Sequence, residues 1–423
     1  MATTDCSGLV AIQSRHGKTF VELLSFFKRL IIYFEGVKTN MAKNFSAVLD
    51  IGSSKITVMV GSEVFGGDFV VFGKSSAQYA GFVDGEFLEE EKLAGVIGKV
   101  IENVELQTCF SIKKLTVSIP AEFCICRNRK LTITFSQSKK LSQDLIDEIY
   151  SNAVEYVENH TLVSSQPIYN LVDDGRKIVD VCGVKTTKLT SLVSTVYASN
   201  KFINTINSSL SQLAIQKVNY VPSAVAQTEY LLSAEKNMSA CVLIDIGYIT
   251  TEVSVAKGGG LLLLGSFSMG GGHITADLSE CLKIGFSDAE NLKRRMVLSL
   301  QASPNDVYEI ESVQANGTKT FFMKTANQIV FDRLDVIAYL IKKVISQVED
   351  TEHMRFFLTG GGITCVKGAK EYLASRLSAN IEIVTPNLAE FNKPNQSSSI
   401  ALLSYSLKNF QKKHVGMLAK LKK

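Results

Sequence analysis

Apolar positions along the chain follow two periods, and the switches between them predict most of the elements. Short runs of period two read as strands at 45–49, 56–60 and 69–72, joined by Gly-containing turns. Over 89–107 the period lengthens. Leu93, Ile97, Val100, Ile101 and Val104 fall on one stripe of a helix. Strands are expected at 115–119 and 131–135, then a helix over 142–156 that opens on a serine cap. A strand at 191–197 precedes a helix over 201–213 with Phe202, Ile206, Leu210 and Leu213 on one side. Runs at 242–246, 251–255 and 261–267 repeat the three-strand pattern of the beginning. Helices are expected at 275–282, 287–296, 326–348 and 367–377, with a strand at 355–358. This alternation predicts an α/β fold. Residues 393–399 are polar and read as a loop before a last helix.

At 423 residues the chain exceeds one ordinary core, since a domain takes ~150 residues. Hydrophobic residues at 46% and charged residues at 20% fit a globular protein and argue against wholesale disorder. A net charge of +4 is too small over this length to suggest a nucleic-acid-binding surface, so no nucleic-acid partner is expected. No run approaches the ~20 apolar residues of a bilayer-spanning helix. The eight cysteines are scattered and form no C-x-x-C pair, which disfavours a zinc site or disulfide framework and suits a reducing compartment. Residues 1–40 look foreign to the rest of the chain and include an apolar, basic stretch over 20–34. They are expected to be either a mis-called start, with Met41 as the natural one, or an accessory helix.

The strongest signal is an internal repeat. Asp50-Ile51-Gly52-Ser53-Ser54-Lys55 and Asp245-Ile246-Gly247-Tyr248-Ile249-Thr250-Thr251 each follow an apolar strand and lead into a second one, 195 residues apart. That spacing assigns each to its own domain-sized half. A tight hairpin after a strand gathers backbone N–H groups that suit phosphate oxygens. Gly52 and Gly247 lack the Cβ that would block close approach. Ser53, Ser54, Thr250 and Thr251 add hydroxyl donors, and Lys55 offers a point charge to a terminal phosphate. Asp50 and Asp245 would face Mg2+ through its retained waters. Gly360-Gly361-Gly362 after a strand would let the backbone pass flat beside adenine. Any one D-x-G is equally a plain β-turn; the pair in one frame is what points to a nucleotide.

At these residues the sequence resembles the actin–Hsp70–sugar-kinase superfamily and, within it, the bacterial FtsA cell-division family. Asp50 to Lys55 matches the family's first phosphate motif. Asp245, Ile246, Gly247, Thr250 and Thr251 match the second. Gly271-Gly272-His273-Ile274-Thr275-Ala276-Asp277 and Ala289-Glu290-Asn291-Leu292-Lys293 match two further motifs, which imply that Gly271, Gly272, Glu290 and Lys293 contact nucleotide. Leu358 to Gly361 matches the adenosine turn. The resemblance covers about 47–407. It implies an actin-like, two-lobed fold with duplicated ribonuclease-H-like halves, over 41–85 with 175–232 and over 233–407. An inserted 1C subdomain of strand–helix–strand–strand (SHS2) type is expected over 86–174. It implies ATP and Mg2+ as ligands, and as partners an FtsZ-like tubulin homologue, further copies of the chain and, through 1C, later division proteins. It places the protein peripherally on the cytoplasmic face of the inner membrane, at the division site. A pilus-assembly protein of PilM type and a sugar- or acid-kinase-type phosphotransferase are the alternatives.

Three departures matter. Tyr248 and Ile249 stand where the family has glycines, and a β-branched Ile resists positive φ, so the second turn is expected to differ in shape or reach. Val221 stands before Pro222 where related ATPases carry a water-orienting Glu. Valine cannot polarise water, so turnover is expected to be slow or absent, and no catalytic residue is assignable. Arg333 begins the R-x-x-E helix, but Val336 replaces the acid. At the C-terminus no acidic residue follows Glu390. Over 408–423, Phe410, Met417, Leu418 and Leu421 share a helix face, with Lys412, Lys413 and Lys420 mainly on others. That pattern predicts a short amphipathic helix for an anionic membrane surface.

Overall fold

A computed structural model describes residues 45–64, 68–236, 239–312, 317–349 and 353–421, with 410–421 described by backbone alone. Residues 46–61 and 71–423 form one compact unit and the remainder a second. Among its described residues the second unit holds little besides strand ends. The extension over 1–40 lies outside the described residues, as do the side chains of the predicted membrane helix.

The first half opens with strands β1 (Phe45–Ile51), β2 (Lys55–Glu63) and β3 (Phe69–Gln78). A small hairpin of β4 (Phe82–Val83) and β5 (Glu86–Phe87) leads to helix α1 (Glu90–Thr108) and β6 (Lys114–Ile119). Next come β7 (Cys124–Lys140), α2 (Gln143–Ser151), β8 (His160–Val172), β9 (Lys177–Ile178) and β10 (Lys185–Ser199). Helix α3 (Asn200–Leu210), β11 (Lys217–Pro222) and α4 (Ser223–Leu231) complete the half. The second half runs β12 (Cys241–Ile246), β13 (Thr251–Lys257), β14 (Gly260–Phe267), α5 (Gly271–Leu282) and α6 (Phe286–Arg295). It continues through β15 (Val307–Ser312), β16 (Gly317–Phe322), α7 (Met323–Ile345), β17 (Arg355–Thr359), α8 (Ala369–Leu377) and β18 (Ile381–Ile383) to α9 (Ser397–Leu421).

The two halves repeat one sheet. Strand order is β3-β2-β1-β6-β11 in the first and β14-β13-β12-β17-β18 in the second. Each central strand has a parallel neighbour, with Val48 opposite Thr116 and Ile244 opposite Leu358. Both Asp-Ile-Gly segments therefore sit at the carboxyl end of the corresponding central strand, where open α/β sheets hold ligands. The stripe Leu93, Ile97, Val100, Ile101 and Val104 is buried along α1. Ile246, Val253, Ile274, Leu292, Val330 and Leu358 belong to the core of the second half.

Strand pairing divides the middle of the chain differently from the expected 86–174 insertion. β6 pairs in parallel with β1 and with β11, so β6 belongs to the first sheet and α1 is the helix that leads into it. The separate four-stranded sheet, β7-β10-β8-β9, takes its strands from 124–199, with chain order β7, α2, β8, β9, β10: the expected strand–helix–strand–strand pattern with the two-residue β9 added. Its α2 side is apolar, with Ile146, Ile149, Val172 and Leu189 buried together. β7 is 17 residues long, far longer than its apolar run, because it pairs with β10 along its whole length, from Cys124 opposite Ala198 to Lys140 opposite Lys185. β8 has no clear alternation, since Ser164-Ser165-Gln166-Pro167 interrupts it.

This inserted sheet touches the second half through backbone. Asn128 Nδ2 donates to the Leu262 carbonyl at 2.6 Å. A Cβ placed on Gly258, whose φ is +57°, would lie 1.9 Å from the Ile168 carbonyl oxygen. Gly258→Ala should therefore lower stability by about 2 kcal/mol, read as a fall in the urea midpoint. A Cβ on Gly95, in α1, would have no heavy atom within 4 Å, so Gly95→Ala should gain about 0.5–1 kcal/mol. Equal midpoints for the two variants would contradict this packing.

Candidate functional site

Two turns of one design carry the site. The Gly52 N–H donates to the Lys55 carbonyl at 3.0 Å, and the Gly247 N–H donates to the Thr250 carbonyl at 2.9 Å. Neither Tyr248 nor Ile249 has positive φ. The second turn thus closes like the first without the family glycines, because its geometry asks for no left-handed residue there. The turns meet: the Ile249 N–H donates to Ser53 Oγ at 3.1 Å. Gly81, at φ +89°, lets β3's exit pass under the first turn, where a Cβ would lie 2.0 Å from the Ser53 carbonyl oxygen. Tyr79 Oη donates to the Gly52 carbonyl at 2.7 Å and holds the same turn from the side.

Beside this meeting point lies a cavity of roughly 490 Å³. Asp50, Gly52, Ser53, Ser54 and Lys55 line it from the first half. Asp245, Gly247, Thr250, Glu290, Lys293, Gly360 and Gly361 line it from the second. Four other residues singled out from the sequence stand behind it. Thr251 Oγ1 donates to the Met269 carbonyl at 2.6 Å, which spends its hydroxyl on β14's exit. The Gly271 and Gly272 N–H groups donate to the Gly247 and Tyr248 carbonyls at 2.9 and 2.7 Å, bracing the second turn. The Gly362 N–H donates to the Ile246 carbonyl at 2.8 Å. Lys293 is 1% exposed, and its ammonium donates to the Gly271 carbonyl and Thr275 Oγ1 at 2.9 and 2.8 Å. It also pairs with Glu290 at 2.7 Å and lies under the Tyr248 ring. Burial pushes the Glu290 carboxyl up, but donors from Lys293, Thr275 and Arg294 outweigh it, and the net lies below the usual value. Arg333, left without its helix acid, pairs bidentately with Asp277 at 2.6 and 2.7 Å, and so joins α7 to α5.

The cavity floor is acidic. Asp50 accepts from Ser118 Oγ at 3.0 Å and Ser398 Oγ at 2.7 Å, and burial holds its carboxyl above the usual range. Asp245 accepts from Gln227 Nε2 at 2.9 Å; burial, with the Asp50 charge nearby, pushes it to about 6. Glu252 accepts from Ser223 Oγ and from the Ala121 N–H, both at 2.7 Å, and burial together with the Asp245 charge pushes it to about 7. Gln227 is 1% exposed, and its Oε1 is buried without a partner. Sequence reasoning missed Glu252, Gln227, Ser223 and Ser398. Glu252 was findable from hairpin register, because it stands directly opposite Asp245 across β12 and β13. Val221, by contrast, is buried at the end of β11 and does not line the cavity. Among the described residues no group of three or more His, Cys, Asp or Glu is placed to hold a metal directly. Asp50, Asp245 and the lone Gln227 oxygen suit a cation that keeps its waters.

The family described as "Cell division protein FtsA" matches residues 242–401. The chain is 20% identical over 366 residues to the cell division protein FtsA of Bacillus subtilis (strain 168), covering 85% of this chain and 83% of that one. It is 23% identical over 373 residues to an FtsA of Staphylococcus epidermidis, covering 87% and 80%. Among solved structures it superposes on the PilM–PilN type IV pilus biogenesis complex with TM-score 0.56 at 14% identity, covering 86% of this chain and 98% of that one. It superposes on MreB5 of Spiroplasma citri bound to AMPPNP with TM-score 0.53 at 10% identity, covering 88% and 98%. At such identities the structural likeness is one of fold, and the fold is that of the actin-like ATPases.

The raised carboxylates set a pH dependence. Asp245 rises from 3.8 to about 6 and Glu252 from 4.5 to about 7, so the folded state keeps protons that the unfolded chain gives up. Their contribution to stability is full below the unfolded values and is lost as pH rises through the folded ones. Glu252→Gln should therefore flatten the fall in the melting temperature of nucleotide-free protein between pH 4.5 and 7. An unchanged slope would show that Glu252 does not hold its proton there.

Proposed function

We propose that this chain, a divergent relative of the FtsA cell-division proteins with their actin-like fold, binds ATP with Mg2+ between its two turns and acts as a membrane-peripheral division protein. The observation that carries the reading is the contact of Ser53 with Ile249, which puts both turns at one cavity. The residues fit the ligand. Lys55, Ser53 and Thr250 would take phosphate oxygens, and Gly360 and Gly361 would leave room for the base. Asp50, Asp245 and Gln227 would hold the hydrated metal, which neutralises phosphate charge when bound. Its arrival would also relieve the buried carboxylates of their mutual repulsion.

Hydrolysis would be slow. The acid expected before Pro222 is Val221, and both oxygens of Glu252 already accept hydrogen bonds, from Ser223 and Ala121. The same engagement disfavours a phosphotransferase, which would need a free base beside its acceptor. In this reading ATP is a structural ligand and assembly switch. The chain would self-assemble and tether an FtsZ-like tubulin homologue to the inner face of the cytoplasmic membrane, with later division proteins meeting the inserted sheet. Attachment would come from the basic tail. No helix among the described residues is long and apolar enough to cross a membrane.

Asp245→Ala should weaken Mg·ATP binding by roughly 10–100-fold, read by calorimetry, because it removes a charged partner of the hydrated metal. Wild-type turnover should stay far below the ~10 per second of an ordinary enzyme. Unchanged affinity, or rapid turnover, would overturn the site assignment or the switch role respectively. Deleting residues 410–423 should release the protein from anionic vesicles, and a deletion that sediments like the full chain would remove the tail from the account.

A further inference from the structure

The C-terminal helix starts inside the cavity. Pro394, Asn395 and Ser398 line it, and Ser398 Oγ donates to Asp50 Oδ1 at 2.7 Å. Thr359 Oγ1, at the end of β17, donates to Ser397 Oγ at 2.7 Å. Asn395 packs on the adenosine turn, where a Cβ on Gly361 would lie 2.8 Å from Asn395 Cβ. The next turns of α9 are core: Ile400, Ala401, Leu402 and Leu403 are fully buried and Leu407 is 5% exposed. Lys408 is exposed, and from there the same helix runs on to Leu421 without an intervening loop. The head of α9 is thus a wall of the cavity, and its far end is the basic tail.

Helix physics joins the two ends. A 14-residue tail is marginal as an isolated helix, because the first turn is costly to nucleate. A docked head supplies that turn, and each later residue then adds one hydrogen bond for each residue fixed. A tail already helical has less order to gain on a lipid surface, and so binds it more tightly. Ligands that favour the docked head will favour the tail helix.

Resting on the nucleotide and membrane readings, we infer that Ser398 positions the Asp50 carboxylate and that, through α9, Mg·ATP binding and tail helicity are linked. Nucleotide strengthens the tail's grip on anionic lipid, and the lipid surface strengthens nucleotide binding by the same factor. Gln227, held by Asp245 on the wall of the same cavity, supplies a second, independent sign that a ligand belongs there, since its buried Oε1 has no partner.

The test uses the full chain with two readouts: amide hydrogen exchange over 408–421, and sedimentation with phosphatidylglycerol vesicles, each with and without Mg·ATP. In the wild type Mg·ATP should slow exchange in the tail and raise vesicle affinity about fivefold. Ser398→Ala should lose both effects and weaken Mg·ATP about tenfold, while Ser398→Thr, which keeps the hydroxyl, should restore them. A Gly-Ser-Gly-Ser insertion after Asn409 should keep nucleotide affinity and abolish the nucleotide dependence of the tail. Tail exchange indifferent to Mg·ATP in a wild type that binds it, or a dependence that survives the insertion, would overturn the linkage. A wild type that binds no Mg·ATP fails at the site itself. One that slows exchange yet ignores vesicles supports the linkage and overturns only the membrane reading.

Discussion

Ser53 receives the Ile249 amide, and the architecture around it serves to let that contact form. Two sheets of the same strand order each bring an Asp-Ile-Gly turn to the carboxyl end of a central strand. The turns are closed by equivalent hydrogen bonds from Gly52 and Gly247. Bringing them together also gathers Asp50, Asp245 and Glu252, whose ionised forms repel one another and are disfavoured by burial. A site that concentrates negative charge in this way favours a hydrated cation, which in turn favours a polyphosphate.

Much of this was legible because it is local. The stripe from Leu93 to Val104 has helix period and is buried as a stripe. Each Asp-Ile-Gly turn is contained in a dozen residues, so repetition of the frame exposed both. What was not legible depends on partners far away in sequence. β6 joins the first sheet by pairing with β1, some 70 residues earlier, and no local pattern announces that pairing. Glu252 faces the cavity only through its register opposite Asp245. Ser398 reaches Asp50 across 348 residues. Thr251 shows the converse, since its hydroxyl resembles that of Thr250 in sequence and is spent behind the cavity.

The departures from the family pattern fall into two kinds. Tyr248 and Ile249 leave the turn's closure intact, because no positive φ is demanded of them. Tyr248 instead lays its ring over Lys293, which also holds the start of α5. Val221 and the absence of a spacer before the basic tail alter what the fold can do. The first leaves no acid before Pro222, at a position buried away from the cavity, and the second makes the tail a continuation of a core helix. Under the proposed function, a tail continuous with a helix that lines the cavity is suited to report a bound nucleotide.

The central claim is that residues from both halves grip one ligand. It is tested most directly by calorimetric titration of Mg·ATP into the wild type, Lys55→Met and Thr250→Val, one substitution in each turn. One site per chain, weakened by either substitution alone, is the predicted result; an affinity that one of the two leaves untouched would mean that the turns do not share a nucleotide.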